Sequence, residues 1–147
     1  MRTEKRILVV DDDEAIRTLV TRVLHRRSLI VDVACNGEDA LLRIGEHRYK
    51  VILLDLMMPR MSGYEFLERL AMIPISVPRP TVLVLTAGLE PKPFDTTLVV
   101  GTIHKPFDID LLVDAVYACL GNTVEQPRPD TCAPLELDRS APREEAN

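Results

Sequence analysis

Two unbroken apolar runs set the frame of this chain, and both end in acid. Ile7-Leu8-Val9-Val10 is followed by Asp11, Asp12 and Asp13, and Val51-Ile52-Leu53-Leu54 is followed by Asp55. Three weaker strand-like runs accompany them: Ile30 to Ala34, Thr81 to Leu85 ending in Thr86, and Thr102 to His104 ending at Lys105. Between the strands the apolar residues recur at helical spacing instead. Ile16, Leu19, Val20, Val23 and Leu24 share one face of a first helix, with Asp13 as its simplest cap and Glu14 at the positive end of its dipole. Asn36-Gly37 introduces a second helix that turns Ala40, Leu41 and Ile44 to the core. Ser62 and Glu65 have capping-box spacing, so a third helix starts near Gly63 or Tyr64, carries Phe66, Leu67 and Leu70, and stops before Pro74. Asp108 caps a last helix in which Leu111, Leu112, Ala115, Val116, Cys119 and Leu120 share a face before Gly121 ends it.

Alternating strands and helices, with continuously apolar strands, predict a parallel sheet covered on both faces, a doubly wound α/β domain. Two stretches depart from the pattern. A helix is due between Thr86 and Thr102, but Pro91, Pro93 and the β-branched Thr96, Thr97, Val99 and Val100 leave at most a short or distorted fourth helix there. After Gly121, residues 122–147 hold four of the eleven prolines and six acids against three bases. That composition reads as a disordered or loosely held acidic tail following a domain of residues 1–121.

At 147 residues, 46% of them hydrophobic, the chain suits one well-buried core. A net charge of −5 argues against nucleic-acid or membrane-surface binding, and Arg22, Arg26 and Arg27 read as a solvated helix end. Cys35, Cys119 and Cys132 lack metal-ligand spacing and read as reduced thiols of a cytoplasmic protein. The apolar run after Met1-Arg2-Thr3-Glu4-Lys5-Arg6 lasts four residues before meeting acid, unlike a signal peptide, and no segment is long enough to span a bilayer.

The chemistry lies at the strand ends. In an open parallel sheet the functional crevice forms at the carboxyl ends of the strands, so Asp11, Asp12 and Asp55 would share one cleft. Carboxylates gathered in this way call for a hard cation such as Mg2+. Asp55 can attack phosphorus to give an acyl phosphate, while Lys105 and the Thr86 hydroxyl offer charge and a donor to the oxygens of a transferring phosphoryl group. Taken singly, Thr86 would be a strand-end turn residue, Lys105 a solvated lysine and Asp55 a cap or turn acid. Their joint placement favours the site. His25, His47 and His104 lie on separate elements and support no metal centre or catalytic triad, and Met57-Met58 reads as packing.

From about Lys5 to Leu120 the chain resembles the receiver domain of two-component response regulators. The resemblance rests on Ile7-Leu8-Val9-Val10-Asp11-Asp12, on Leu54-Asp55-Leu56-Met57-Met58-Pro59 with Gly63, on Val84-Leu85-Thr86-Ala87 and on Lys105-Pro106-Phe107, in that order. It implies a flavodoxin-like five-stranded sheet of order 2-1-3-4-5, Asp55 as phosphoacceptor, and Mg2+ held by Asp11, Asp12, Asp55 and the Met57 backbone carbonyl. It also implies Thr86 as the switch hydroxyl, Lys105 as the phosphate contact and a cis Lys105-Pro106 peptide. The partners implied are a histidine kinase or histidine phosphotransfer protein and a downstream protein, with the chain a monomer or weak dimer and a phosphoacceptor rather than a turnover enzyme. Lys-Pro-Phe also occurs at Lys92-Pro93-Phe94, but only Lys105 lies between an apolar strand and a patterned helix.

The resemblance is incomplete around the switch. Receivers usually carry an aromatic residue three positions before the signature lysine, where this chain has Thr102, and the Thr86 to Lys105 interval is short. A pseudo-receiver working only as a protein-interaction module is therefore the main alternative. A metal-dependent phosphatase with an aspartate nucleophile is the third reading, disfavoured because no Asp-x-Asp arrangement surrounds Asp55.

Overall fold

The computed structural model describes residues 5–74, 79–87 and 98–121. Within them, five strands, β1 (Arg6–Val10), β2 (Ile30–Ala34), β3 (Val51–Asp55), β4 (Thr81–Thr86) and β5 (Val99–His104), pair in parallel in the order β2-β1-β3-β4-β5. Four helices, α1 (Glu14–His25), α2 (Gly37–Glu46), α3 (Gly63–Ala71) and α4 (Ile109–Cys119), complete the described fold.

The unbroken apolar strands have a direct structural reason. Successive strand residues point to opposite faces, and here both faces are covered. Leu8, Val10, Ile52, Leu54, Val82 and Val84 meet Ala40 of α2 and Phe66 and Leu70 of α3 on one side. Ile7, Val9, Val51, Leu53, Leu83 and Leu85 meet Val20 and Leu24 of α1 and Leu112, Val113 and Val116 of α4 on the other. Full burial of each such side chain stabilises by about 1.5–3 kcal/mol relative to exposure, so a polar substitution at any of these positions would be costly.

Side-chain caps fix where the helices begin. The Asp13 carboxylate accepts from the Ala15 and Ile16 amides, Asn36 from Asp39, and Asp108 from Asp110 and Leu111. Ser62 and Glu65 make the reciprocal capping box, and Gly121 follows α4 at φ +74°.

Several sequence expectations need correction. β5 starts at Val99, three residues before Thr102, because an irregularity opposite Val82 and Leu83 and an exposed sheet edge leave it without a continuous apolar pattern. Leu19 is 44% exposed and Leu111 57% exposed, so neither belongs to the core stripe of its helix. In α4 the stripe instead passes through Val113, a phase that sequence spacing could not select because apolar residues nearly encircle this helix. Met58 packs in the core, whereas the Met57 side chain is 68% exposed. The expected short fourth helix, Lys92-Pro93-Phe94 and the tail from Asn122 lie outside the described residues.

Candidate functional site

Chain winding creates the crevice. From β1 the chain first moves outward to β2 and then crosses back to β3 on the other side of β1, so the strand order reverses between β1 and β3. At such a reversal the connections diverge and leave a cleft beyond the strands' carboxyl ends. The register pairs Val10 with Leu54, which brings the following residues Asp11 and Asp55 to the same cleft.

Asp11 is wholly buried and held at every oxygen. Its Oδ1 accepts from the Asp13 amide at 2.9 Å, its Oδ2 from Lys105 Nζ at 2.6 Å, and its carbonyl from Arg17 Nη1 at 2.7 Å. Asp55 is 5% exposed; its Oδ1 accepts from the Met57 amide at 3.1 Å, and its Oδ2 stands 3.7 Å from Lys105 Nζ. Asp12 is exposed, yet one oxygen from each of Asp11, Asp12 and Asp55 lies within 4.8 Å of the others. Thr86, at the end of β4, is buried, and its carbonyl accepts from the Lys105 amide at 2.7 Å, tying β4 to the lysine. The Lys105-Pro106 peptide is cis, as the resemblance implied.

The structure therefore brings Asp11, Asp12, Asp55, Thr86 and Lys105 to one end of the sheet, with the Met57 backbone beside Asp55. Burial, then the negative charge of Asp11, push the Asp55 carboxyl up to about 6; the Met57 amide and Lys105 oppose this only in part, while a hydrogen bond with the Asp12 side chain adds to it. One ammonium does not balance three carboxylates. The donor set, hard oxygens gathered in a small volume and short of positive charge, fits a divalent ion such as Mg2+.

The loop after Asp55 is shaped by close backbone approach. A Cβ on Gly63 would stand 2.5 Å from the Asp55 carbonyl oxygen and 2.7 Å from Leu56 Cα, so only glycine lets α3 begin against the Asp55 backbone. The Gly63 amide donates to the Leu56 carbonyl at 3.0 Å, and Arg60 takes a left-handed φ of 66° to bring the chain round. A Cβ on Gly37 would strike Met61 at 2.6 Å, which seats the start of α2 against the same loop. Sequence reasoning did not identify Arg17. Its contact with Asp11 is six residues distant and directed at a carbonyl, and nothing in the pattern of residue types marks such a pair.

A family model described as the response regulator receiver domain matches residues 7–117. Among curated proteins, the transcriptional regulatory protein ResD of Bacillus subtilis (strain 168) is 47% identical over 62 residues, covering 42% of this chain and 26% of ResD. Response regulator MprA of Mycobacterium sp. (strain KMS) is 42% identical over 82 residues, covering 56% of this chain and 34% of MprA. The matched regions span about a quarter to a third of these relatives. Among solved structures, chemotaxis response regulator CheY4 of Vibrio cholerae superposes with a TM-score of 0.71 at 29% identity, covering 80% of this chain and 99% of CheY4. Response regulator TrrA of Thermotoga maritima, solved in complex with Mg2+ and BeF, gives 0.69 at 30% identity, covering 78% of this chain and 98% of TrrA. No helix among the described residues is long and apolar enough to cross a membrane. With the strand order, the carboxylate cleft and the family match in agreement, the chain belongs to the response regulator receiver domain family.

Proposed function

We propose that this chain accepts a phosphoryl group on Asp55, in the presence of Mg2+, from a histidine kinase or histidine phosphotransfer protein, and passes the signal on by protein–protein contact. The observation that carries this reading is the buried Asp55 carboxylate, 3.7 Å from Lys105 Nζ and clustered with Asp11 and Asp12. An Asp55 oxygen attacks phosphorus as the bond from phosphorus to the donor's leaving nitrogen breaks, and the electron pair departs with that nitrogen. Asp11, Asp12, Asp55 and the Met57 carbonyl would hold Mg2+, whose charge offsets that of the transferring group. Lys105 supplies a second positive centre, and the Thr86 hydroxyl donates to a phosphoryl oxygen. Most of the rate enhancement then comes from fixed charge and positioning.

Because Asp55 is itself consumed, the chain is a phosphoacceptor and not a turnover enzyme. The likeness to TrrA, which was solved with Mg2+ and BeF, supports the metal and phosphoryl assignments. A net charge of −5 supports a protein partner over nucleic acid.

Incubation with acetyl phosphate or phosphoramidate and Mg2+ tests the reading by mass spectrometry. One added phosphoryl group is expected, and it should be absent in Asp55→Asn; labelling that survives this substitution removes Asp55 from the role. The pseudo-receiver reading draws on Thr102, an exposed threonine on β5 where receivers usually carry an aromatic ring. Failure of the natural chain to label would favour it.

A further inference from the structure

The pole of the sheet opposite the carboxylate cleft is basic. The Lys50 amide donates to the Arg6 carbonyl at 2.9 Å and the Thr81 amide to the Lys50 carbonyl at 3.0 Å, which aligns the amino ends of β1, β3 and β4. A cavity of about 400 Å³ opens there, walled by Arg48, Lys50 and Arg79 together with Tyr49, Cys119 and Leu120. Small-molecule sites typically enclose about 300–1,000 Å³ and combine apolar surface with a few charged groups, and this cavity does both. Among the described residues, no carboxylate side chain lines it.

The charge of this wall is uncompensated. The chain carries 23 acids against 18 bases, so acid is plentiful, and neighbouring Arg6 is engaged by Asp32 at 3.0 Å. Yet among the described residues none of Arg48, Lys50 and Arg79 forms an ion pair. Arg48 and Lys50 are exposed and alone would be solvated surface cations. Arg79 is different. Its Nη2 donates to the Ile73 carbonyl at 2.6 Å, which anchors the guanidinium, while its Nε is buried with no hydrogen-bond partner among the described residues. A buried donor left unmet is costly, so an acceptor that drew the guanidinium slightly toward the cavity would be favoured. The end of α4 accounts for part of the positive charge, because its last turn has no basic residue and its carbonyls present about half an elementary negative charge. Three cations exceed that by about two and a half charges. A dianion would nearly balance the surplus, and the planar forks of two guanidinium groups suit the oxygens of a phosphate.

We propose that this cavity binds a small phosphomonoester, with the phosphate against Arg48, Lys50 and Arg79 and a compact apolar body against Tyr49, Cys119 and Leu120. The ligand bridges the carboxyl end of α4 and the amino ends of β3 and β4, at the pole remote from Asp55. Binding there stabilises the folded chain by mass action without occupying the carboxylate cleft.

Nuclear magnetic resonance of the full chain in Mg2+-free buffer tests this. The probes are phenylphosphonate, which has no transferable phosphoryl group, and inorganic phosphate. Phenylphosphonate should shift the Arg79 Nε–H and the Lys50 and Leu120 amide resonances saturably, with half-saturation on the order of 1 mM or below, and inorganic phosphate should need severalfold more. Arg79→Gln should weaken phenylphosphonate binding by about tenfold or more, and Lys50→Gln severalfold. Arg60→Gln, which removes a cation in the loop after β3 at the other pole, should leave it unchanged. Absence of a saturable shift below about 10 mM phenylphosphonate would overturn the proposal. So would an equal loss in Arg60→Gln, which would reduce the effect to net charge. Inorganic phosphate binding as tightly as phenylphosphonate would also overturn it, by assigning the cavity to a free anion. If Arg79→Gln fails to fold, Lys50→Gln decides, and unchanged affinity in that variant would overturn the assignment.

Discussion

Lys105 Nζ sits 2.6 Å from Asp11 Oδ2, closer than its 3.7 Å to Asp55 Oδ2, so the lysine neutralises a proposed metal ligand before it meets the proposed phosphoacceptor. A divalent ion and the ammonium would therefore compete for Asp11. Lys105→Ala should tighten Mg2+ binding severalfold, since about 1.4 kcal/mol of relieved competition is already tenfold, while slowing phosphorylation of Asp55. Calorimetric Mg2+ titration and phosphodonor kinetics measure the two effects separately. Weaker Mg2+ binding in the variant would mean that the ammonium organises the carboxylates instead of competing with the ion.

The raised Asp55 carboxyl predicts how stability depends on pH when Mg2+ is absent. Its folded-state value of about 6 lies above the ordinary 3.8, so between these values the folded state binds the extra proton. Stability from this group is thus greatest at low pH and falls as pH rises through about 4 to 6. The gap sets an upper limit of about 3 kcal/mol. Asp55→Asn should raise metal-free stability at pH 7 by up to that amount, and Mg2+ should stabilise the natural chain more than the variant. Denaturant melts at pH 4 and pH 7, with and without Mg2+, would expose an error if Asp55→Asn were destabilising at pH 7.

A second carboxylate should behave in the opposite way. Burial alone would raise Asp32, but its hydrogen bonds from Tyr49 and Arg6 and the Arg6 charge outweigh this and hold it below its usual value. The Tyr49 hydroxyl donates to Asp32 Oδ2 at 2.6 Å. Its stabilisation is present above pH 3.8 and lost as pH falls below it. Tyr49→Phe should cost about 0.5–1.5 kcal/mol at pH 7, and less at pH 2. A penalty unchanged with pH would mean that the lost hydroxyl acted through packing.

What the sequence made legible follows from where the signals are strong. Ile7 to Val10 and Val51 to Leu54 must be central strands, since an unbroken apolar run finds cover on both faces only there, and the acids that end them lie in the cleft for the same reason. Asp13, Ser62 and Asp108 were legible as caps because capping needs only local spacing. The phase of α4 was not legible, because Leu111 and Val113 are equally apolar and only packing against the sheet selects Val113. Nor was the start of β5, an edge strand whose first four residues alternate between half-buried and exposed. Arg17 escaped because its target is a backbone carbonyl, which every residue carries.

Gly63 gives a stability test centred on the same loop. Alanine there would place a methyl carbon 2.5 Å from the Asp55 carbonyl oxygen, and because backbone lies on both sides, α3 or the Asp55 loop must shift. A cost of about 1–3 kcal/mol is expected, as for other overpacked sites, together with slower phosphorylation because the displaced segment carries the proposed phosphoacceptor. Thermal denaturation and phosphodonor kinetics would check both effects. A variant with natural stability would show that the loop yields more easily than this contact allows.

Arg17 should act as a positioning residue for the metal ligands. Its Nη1 donates to the Asp11 carbonyl at 2.7 Å, and the same residue's carboxylate faces Lys105 and the proposed ion, so the guanidinium fixes the backbone from which that carboxylate projects. Hydrogen bonds from charged donors contribute about 1.5–3 kcal/mol, and part of that should appear as lost Mg2+ affinity when the bond is removed. Arg17→Gln is expected to weaken Mg2+ binding severalfold and slow phosphorylation at subsaturating Mg2+, with the rate recovering at high Mg2+. Arg17→Lys, which keeps a charged donor, should restore part of the affinity. If Arg17→Gln loses stability but binds Mg2+ as tightly as the natural chain, the residue serves packing of α1 alone, and the rigidity of Asp11 has another source.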